Sequence, residues 1–418
     1  MIAEILSTGD EIRSGALVDS NSAYMAQKLE EAGIEVVRHC CVGDDMEQII
    51  SVLKEIGIRS DVALVTGGLG PTEDDLTTEA AAKAAGVELV LDNEALSQIE
   101  EFFKKRNYPM SASNRKQAML PKGAECLYNP VGTAPGFVLK IGRCRFFFMP
   151  GVPHEMYKML SDKVLPRIRE LQGDDRQFCM VKTISTFGLG ESAAGEKLAG
   201  LAEQFPGIKL GLRAKFPEIQ VKLYGYGEDE NILNSLIDDA SQWVLQQMGN
   251  KVFSVEGRSM EAEIGELLKQ KNATIALAES CTGGLISHWL TDVPGSSDYF
   301  LFSGVTYSNE AKMGVLGVSP DTLAQYGAVH EETAKEMARG ARQISGATYG
   351  LSTSGIAGPD GGTEDKPVGT VCIGLATPHV TESRRFIFPF GRRSMNKTIF
   401  AVAALDILRR ALCDLSGK

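Results

Sequence analysis

Short apolar runs, each stopped by a glycine- or proline-rich turn, recur through the first 170 residues. Ala3–Leu6 precedes Gly9, Val62–Val65 precedes Gly67-Gly68, and Phe146–Met149 precedes Pro150-Gly151. Between them apolar residues fall at helical spacing: Met25, Leu29 and Ala32 on one segment, Met46, Ile49, Ile50 and Leu53 on another. Strands alternating with helices imply a mostly parallel sheet covered by helices. Functional loops then belong at the carboxyl ends of the strands.

At 418 residues the chain exceeds what one hydrophobic core serves, and its texture changes twice. Residues 1–170 carry the α/β alternation. Residues 171–255 predict a small α+β unit, with strands at Met180–Phe187, Lys209–Leu212 and Ile219–Tyr224 and helices at Glu191–Phe205 and Glu228–Met248. No reactive cluster occurs there, so a structural or interface role is expected. Residues 256–418 return to α/β. A helix bearing Met260, Ile264, Leu267 and Leu268 leads into a strand at Thr274–Ala278. Further strands are expected at Tyr299–Tyr307, Thr348–Thr353, Thr370–Ala376 and Arg384–Phe388, and helices at Leu285–Leu290, His330–Ser345 and Ser394–Leu412.

The formal charge of −11 argues against nucleic-acid binding by bulk electrostatics and leaves nucleotides open as ligands. Met1–Leu6 lacks the basic lead of a signal peptide. No run of about 18 uncharged apolar residues follows, so a cytoplasmic protein without membrane contact is expected. The eight cysteines show no Cys-x-x-Cys spacing and read as reduced residues.

Chemistry is densest around Ala278–Gly284, where a strand gives way to a helix through Glu279-Ser280-Cys281-Thr282-Gly283. A turn of this kind aims backbone N–H groups outward at a helix N-terminus and suits an anionic ligand. In the amino-terminal region three clusters follow strands or open helices: Gly9-Asp10-Glu11, Asp19-Ser20-Asn21, and Gly67–Asp75. Gly67, Gly68 and Gly70, with Thr72 beside them, permit close approach of phosphate. The carboxylates suit a hard divalent cation, so a metal-bound pyrophosphate is a coherent occupant.

With Asn129–Gly136 and Pro150–Met156, these clusters complete a resemblance to the three-layer α/β molybdopterin-binding (MoaB/MogA-like) fold. The segment is more closely similar to the amino-terminal domain of CinA proteins. That resemblance implies a metal-dependent pyrophosphatase splitting ADP-ribose into AMP and ribose 5-phosphate. It places Asp44 and Asp75 at metal positions, with Asp10, Asp19 and Asp74 as further candidates. The implied cofactor is Mg²⁺ or Co²⁺, with K⁺ as an additional ion. The alternative is an amino-terminal module that binds without turnover or serves competence.

Gly295-Ser296-Ser297, Tyr307–Lys312, Ser354–Gly362 and Lys366–Thr370 look like the CinA carboxy-terminal domain, a family of nicotinamide-mononucleotide (NMN) deamidases. The resemblance implies cofactor-free hydrolysis of the NMN carboxamide to nicotinate mononucleotide and ammonia, a step in pyridine-nucleotide salvage. Ser297 matches the family's nucleophile, and Tyr307 and Lys312 match its partners in proton transfer and orientation. Ser280, Ser354 and Arg393 match further active-site positions, with Arg393 set to hold the nucleotide phosphate. Ser280 and Ser354 stay open between oxyanion stabilisation and ligand positioning, and Thr282 and Gly283 complete the substrate-binding turn. The resemblance also implies a homodimer. Cys281 is the rival nucleophile, since a helix N-terminus lowers a thiol pKa, but it reads as a bystander. A short-chain dehydrogenase is disfavoured: Tyr307 and Lys312 lie five residues apart rather than four, and no Gly-x-Gly-x-x-Gly follows an early strand.

Overall fold

The computed structural model describes residues 1–173, 178–388 and 390–413; the predicted segments 171–255 and 256–418 each include positions outside these. The chain packs into two compact units, Met1–Met180 with Gly225–Asn234, and Val181–Tyr224 with Ser235–Lys418.

The first unit contains β1 (Ile2–Thr8), β2 (Glu35–Val42), β3 (Val62–Thr66), β4 (Leu89–Leu91), β5 (Met119–Pro121), β6 (Glu125–Leu127), β7 (Gly136–Ile141) and β8 (Cys144–Met149). Its main sheet runs β2-β1-β3-β8-β7-β6, and β4 pairs with β5 apart from it. β2, β1, β3 and β8 are mutually parallel, while β7 and β6 close the far edge antiparallel. Side chains alternate across the sheet. Leu6, Val65 and Phe146 join the helix Met46–Arg59 in one core, and Ile5, Leu64 and Phe147 join the helix Ser20–Glu31 in another. That is the expected three-layer α/β architecture. β2 left no signal because it is an exposed edge: of its eight residues only Val42 is buried.

Four strands form a second sheet in the order β10-β11-β9-β12: β9 (Phe178–Phe187), β10 (Ile208–Lys215), β11 (Glu218–Gly227) and β12 (Val252–Ser254). The expected helix Glu191–Phe205 is broken into Glu191–Leu198 and Leu201–Gln204, with Gly200 at the break.

The third sheet runs β14-β13-β15-β16-β17, built from β13 (Ile275–Glu279), β14 (Phe300–Val305), β15 (Tyr349–Gly355), β16 (Thr370–Ala376) and β17 (Thr381–Ile387). β14, β13 and β15 are parallel, and β16 and β17 continue antiparallel. One face carries the helices Met260–Gln270 and Arg393–Leu412 over a core that includes Ile264, Leu277 and Phe400. The other carries Glu331–Ser345, through Met337 and Ala341. Among the described residues no helix is long and apolar enough to cross a membrane.

Glu218, at the start of β11, is buried, and its Oε2 has no hydrogen-bond partner. Burial pushes its carboxyl from 4.5 up to about 7, with Lys215 opposing and Glu261 adding to the shift. The folded carboxyl therefore holds its proton to a higher pH than the unfolded one. Stability contributed by this group is present below about 4.5 and is lost as pH rises through about 7. Glu218→Gln is accordingly expected to raise the thermal midpoint at pH 8 and leave it nearly unchanged at pH 4.5. An equal shift at both pH values would place the effect elsewhere.

Candidate active sites

In the first unit the carboxyl ends of β1 and β3 open onto a cavity of about 480 Å³. Gly67 and Gly68 have positive φ, and a Cβ there would lie 2.3 Å from the Thr8 carbonyl oxygen and 2.1 Å from Thr77 Oγ1. Only glycine lets the loop close against β1. Gly70 lies against Asp75, whose carboxylate accepts from the backbone N–H and hydroxyl of Thr72. Lys116 Nζ donates to the Thr72 and Asp75 carbonyls from outside the cavity lining.

The lining carries Glu11, Asp19, Asp44, Asp74, Asp75 and Glu155 and, among the described residues, no Lys, Arg or His. Asp10 faces away, paired with Arg13 at 2.9 Å. Asp19 caps the helix Ser20–Glu31, accepting from Ser22 N and from the Ser7 and Ser22 hydroxyls. Asp44 accepts from the Asp10 N–H at 3.0 Å. Burial raises its pKa, and the neighbouring Asp10, Glu11 and Asp74 add to the rise. Among the described residues no three Asp, Glu, His or Cys side chains converge as a metal cage. Mg²⁺, however, is usually held by one or two carboxylates and completed by substrate phosphates. A raised Asp44 among like charges fits a cation that arrives with a diphosphate. Glu11 and Glu155 went unremarked as lining residues, although both lie inside motifs visible in the sequence.

In the second unit the turn after β13 behaves otherwise than expected. Glu279 is buried, and its carboxylate accepts from the N–H groups of Gly284, Ile286 and Ser287 at 3.0, 3.2 and 2.8 Å, and from the Ser287 hydroxyl. The N-terminus of the helix Leu285–Asp292 is thus already occupied by an internal anion. Glu279 takes the N–H groups of Gly284, Ile286 and Ser287. Thr282 is buried and shares a hydrogen bond with Thr353 Oγ1 at 2.7 Å, facing inward rather than toward ligand. Burial pushes the Cys281 thiol up to about 12, which leaves it protonated and inert.

Ser280, itself buried, is the residue of the turn that meets Lys312. Its backbone N–H donates to the Thr353 carbonyl at 3.0 Å, setting it at the carboxyl edge of the sheet. Lys312, on the helix Asn309–Leu316, reaches it from below. Only 1% of Lys312 is exposed, and its Nζ contacts the Thr306 carbonyl at 2.8 Å, the Tyr307 carbonyl at 3.1 Å and Ser280 Oγ at 3.3 Å. Burial lowers its pKa below 10.5, and among the described residues no carboxylate pairs with it. Tyr307 projects into solvent with its hydroxyl 3.4 Å from Arg393 Nη2, and Arg393 Nη1 donates to the Gly358 carbonyl at 2.7 Å. Lys397, one turn beyond Arg393, brings its Nζ within 3.4 Å of where a Cβ on Gly283 would sit. Its i, i+4 spacing from Arg393 was the available sequence signal for this second cation.

Ser354 follows Thr353, whose carbonyl accepts from the Ser280 N–H, so it lies beside Ser280. Ser354 is buried and donates to the Ala328 carbonyl at 2.7 Å. Ser297 stands apart within one chain. It lies in the short turn Ser296–Asp298 before β14, whereas Tyr307 and Lys312 follow β14. β14 runs parallel to β13, with Phe300 beside Ile275 and Val305 beside Glu279. At about 3.3 Å per strand residue, Ser297 lies on the order of 20 Å from Tyr307 along the sheet. Within one chain the serine touching Lys312 is Ser280.

Profiles of known families match nearly the whole chain in three consecutive parts. Residues 4–170 match the "probable molybdopterin binding domain", 181–254 the "damage-inducible protein CinA KH domain", and 257–412 the "CinA C-terminal domain". A CinA-like protein of Desulfosudis oleivorans is 56% identical over 99% of this chain and 100% of that protein. The chain belongs to the CinA family. Another CinA relative, from Shewanella oneidensis, is called nicotinamide-nucleotide amidohydrolase PncC and is 44% identical over 99% of this chain and 96% of its own. Among solved structures, a CinA protein of unknown function from Thermoplasma acidophilum is 34% identical, covering 40% of this chain and 97% of that one with a TM-score of 0.37.

Proposed function

We propose that this CinA protein hydrolyses the carboxamide of NMN at the Ser280–Lys312 pair. The observation that carries the reading is a buried lysine amine, unpaired with any described carboxylate, held against a serine hydroxyl. The name of the Shewanella oneidensis relative supports the substrate class. As an ammonium, Lys312 donates to all three neighbours. As a neutral amine it still donates to the Thr306 and Tyr307 carbonyls and turns its lone pair to the Ser280 O–H. Ser280 Oγ then attacks the carboxamide carbon while Nζ takes the hydroxyl proton. That proton passes to the departing nitrogen, ammonia leaves, and a nicotinoyl ester remains on Ser280. Water, deprotonated by the same amine, cleaves the ester and restores the serine. Arg393 and Lys397 hold the nucleotide phosphate, and Tyr307 orients Arg393. Purified protein incubated with NMN is expected to yield nicotinate mononucleotide and ammonia by chromatography with mass detection. Their absence overturns the reading.

β14 favours a second arrangement for Ser297. It is an edge strand of its sheet, and Leu301 and Val305 are about half exposed. We propose a homodimer in which two β14 edges pair antiparallel, the geometry a two-fold axis imposes. Such pairing carries the second copy's Ser297 toward the Tyr307 end.

For the amino-terminal cavity we propose metal-dependent hydrolysis of the ADP-ribose pyrophosphate. Asp44 and Asp75 would hold the cation, which when bound supplies charge neutralisation and an activated water. The glycine loop orients the phosphates through its backbone. ADP-ribose with Mg²⁺ is expected to give AMP and ribose 5-phosphate. Absence of these products would leave this domain a binding module, and turnover that persists in EDTA or in Asp75→Ala would overturn the metal site.

A further inference from the structure

The helix Arg393–Leu412 begins in a hydrogen-bonded knot of three chain segments. Asn396 is fully buried, and its Nδ2 donates to the Ala357 carbonyl at 3.0 Å and to the Phe390 carbonyl at 2.9 Å. Arg393 ties the same helix turn to Gly358. The direction in which Arg393 points therefore depends on how Phe390 is held. Two nearby aromatics have their own anchors: Phe388 packs on Phe386 and Phe400. Phe390 packs against the core under this helix and also meets Phe216 edge to face, ring centroids 4.9 Å apart at 84°. Phe216 sits with Pro217 at the tip of the β10–β11 hairpin, in the segment that carries no chemistry of its own, and 42% of it is exposed. Phe216 thus joins the hairpin tip to the loop that carries Phe390.

We propose that Phe216 is a positioning residue for the deamidase site, bracing Phe390 so that Arg393 faces the substrate phosphate. This gives the middle segment a part in substrate recognition, and it rests on the NMN deamidase reading. The contact is one edge-to-face pair, so its loss scales affinity by about three- to tenfold.

The test uses the full-length protein. Phe216→Ala is expected to raise KM for NMN about three- to tenfold with kcat within twofold, and Phe216→Leu to recover much of it. With nicotinamide riboside, which lacks the phosphate, Phe216→Ala and wild type should coincide, and in an Arg393→Ala background the Phe216→Ala effect should vanish. Loss confined to kcat, or equal loss on both substrates, would make Phe216 merely structural and overturn the proposal. Hydrogen exchange across residues 390–396 reads the brace without substrate. Unchanged protection in Phe216→Ala overturns it whatever the enzyme hydrolyses, whereas loosened protection in a protein inactive on NMN would count against the deamidase reading alone.

Discussion

Lys312→Ala is expected to lower kcat/KM for NMN by about 10²- to 10⁴-fold, the range a positioned general base contributes. Lys312→Met is the more searching variant, because it nearly fills the same space without an amine. Both serine arrangements require this lysine, so a variant retaining wild-type turnover would remove the whole pocket from the mechanism. The pH dependence has a fixed sign. The active form is the neutral amine, so kcat should rise with pH through a group whose pKa burial has lowered below 10.5. Stability follows the same direction. The unfolded chain holds this proton to higher pH than the folded one, so folding gains as pH climbs across that interval. In Lys312→Met that part of the pH dependence of the thermal midpoint should disappear. A rate profile falling with pH over the same range would mean that the ammonium, not the amine, is the working form.

The second large effect separates the two serines. If Ser280 is the nucleophile, Ser280→Ala should lose about 10³-fold or more in kcat while Ser297→Ala stays near wild type. If Ser297 acts from a second copy, Ser297→Ala is the inactive one, and a mixture becomes informative. Ser297→Ala and Lys312→Ala, each inactive alone, should together recover about a quarter of wild-type activity, because half of randomly formed dimers carry one intact site of two. No recovery, with Ser280→Ala also inactive, assigns the chemistry to a single chain. Recovery assigns it to the dimer. Sedimentation of the wild type fixes the oligomeric state independently.

Much of the scaffold was legible because its signals are local. β16 falls on Thr370–Ala376 as expected and β13 lies within one residue of expectation, since buried strands read as apolar runs, while the polar β15 lies within two. β2 was invisible because an exposed edge has no need of such a run. The site was less legible for a different reason. The pairing of Ser280 with Lys312 spans 32 residues and is decided by which strands neighbour one another. Ser297 was grouped with Tyr307 by the family resemblance, and ten residues separate them in sequence. That interval is spent crossing the sheet. Glu279 drew no role beside the more reactive side chains that follow it, although its carboxylate accepts from the N–H groups of Gly284 and Ser287.

The neighbours of Lys312 carry one last consequence. Two of its three contacts are main-chain carbonyls, at Thr306 and Tyr307. Side-chain replacement at those positions leaves both oxygens in place, so the placement of the amine is inherited from the end of a strand rather than from any residue type. Divergence around this lysine can alter what is bound far more freely than it can displace the base.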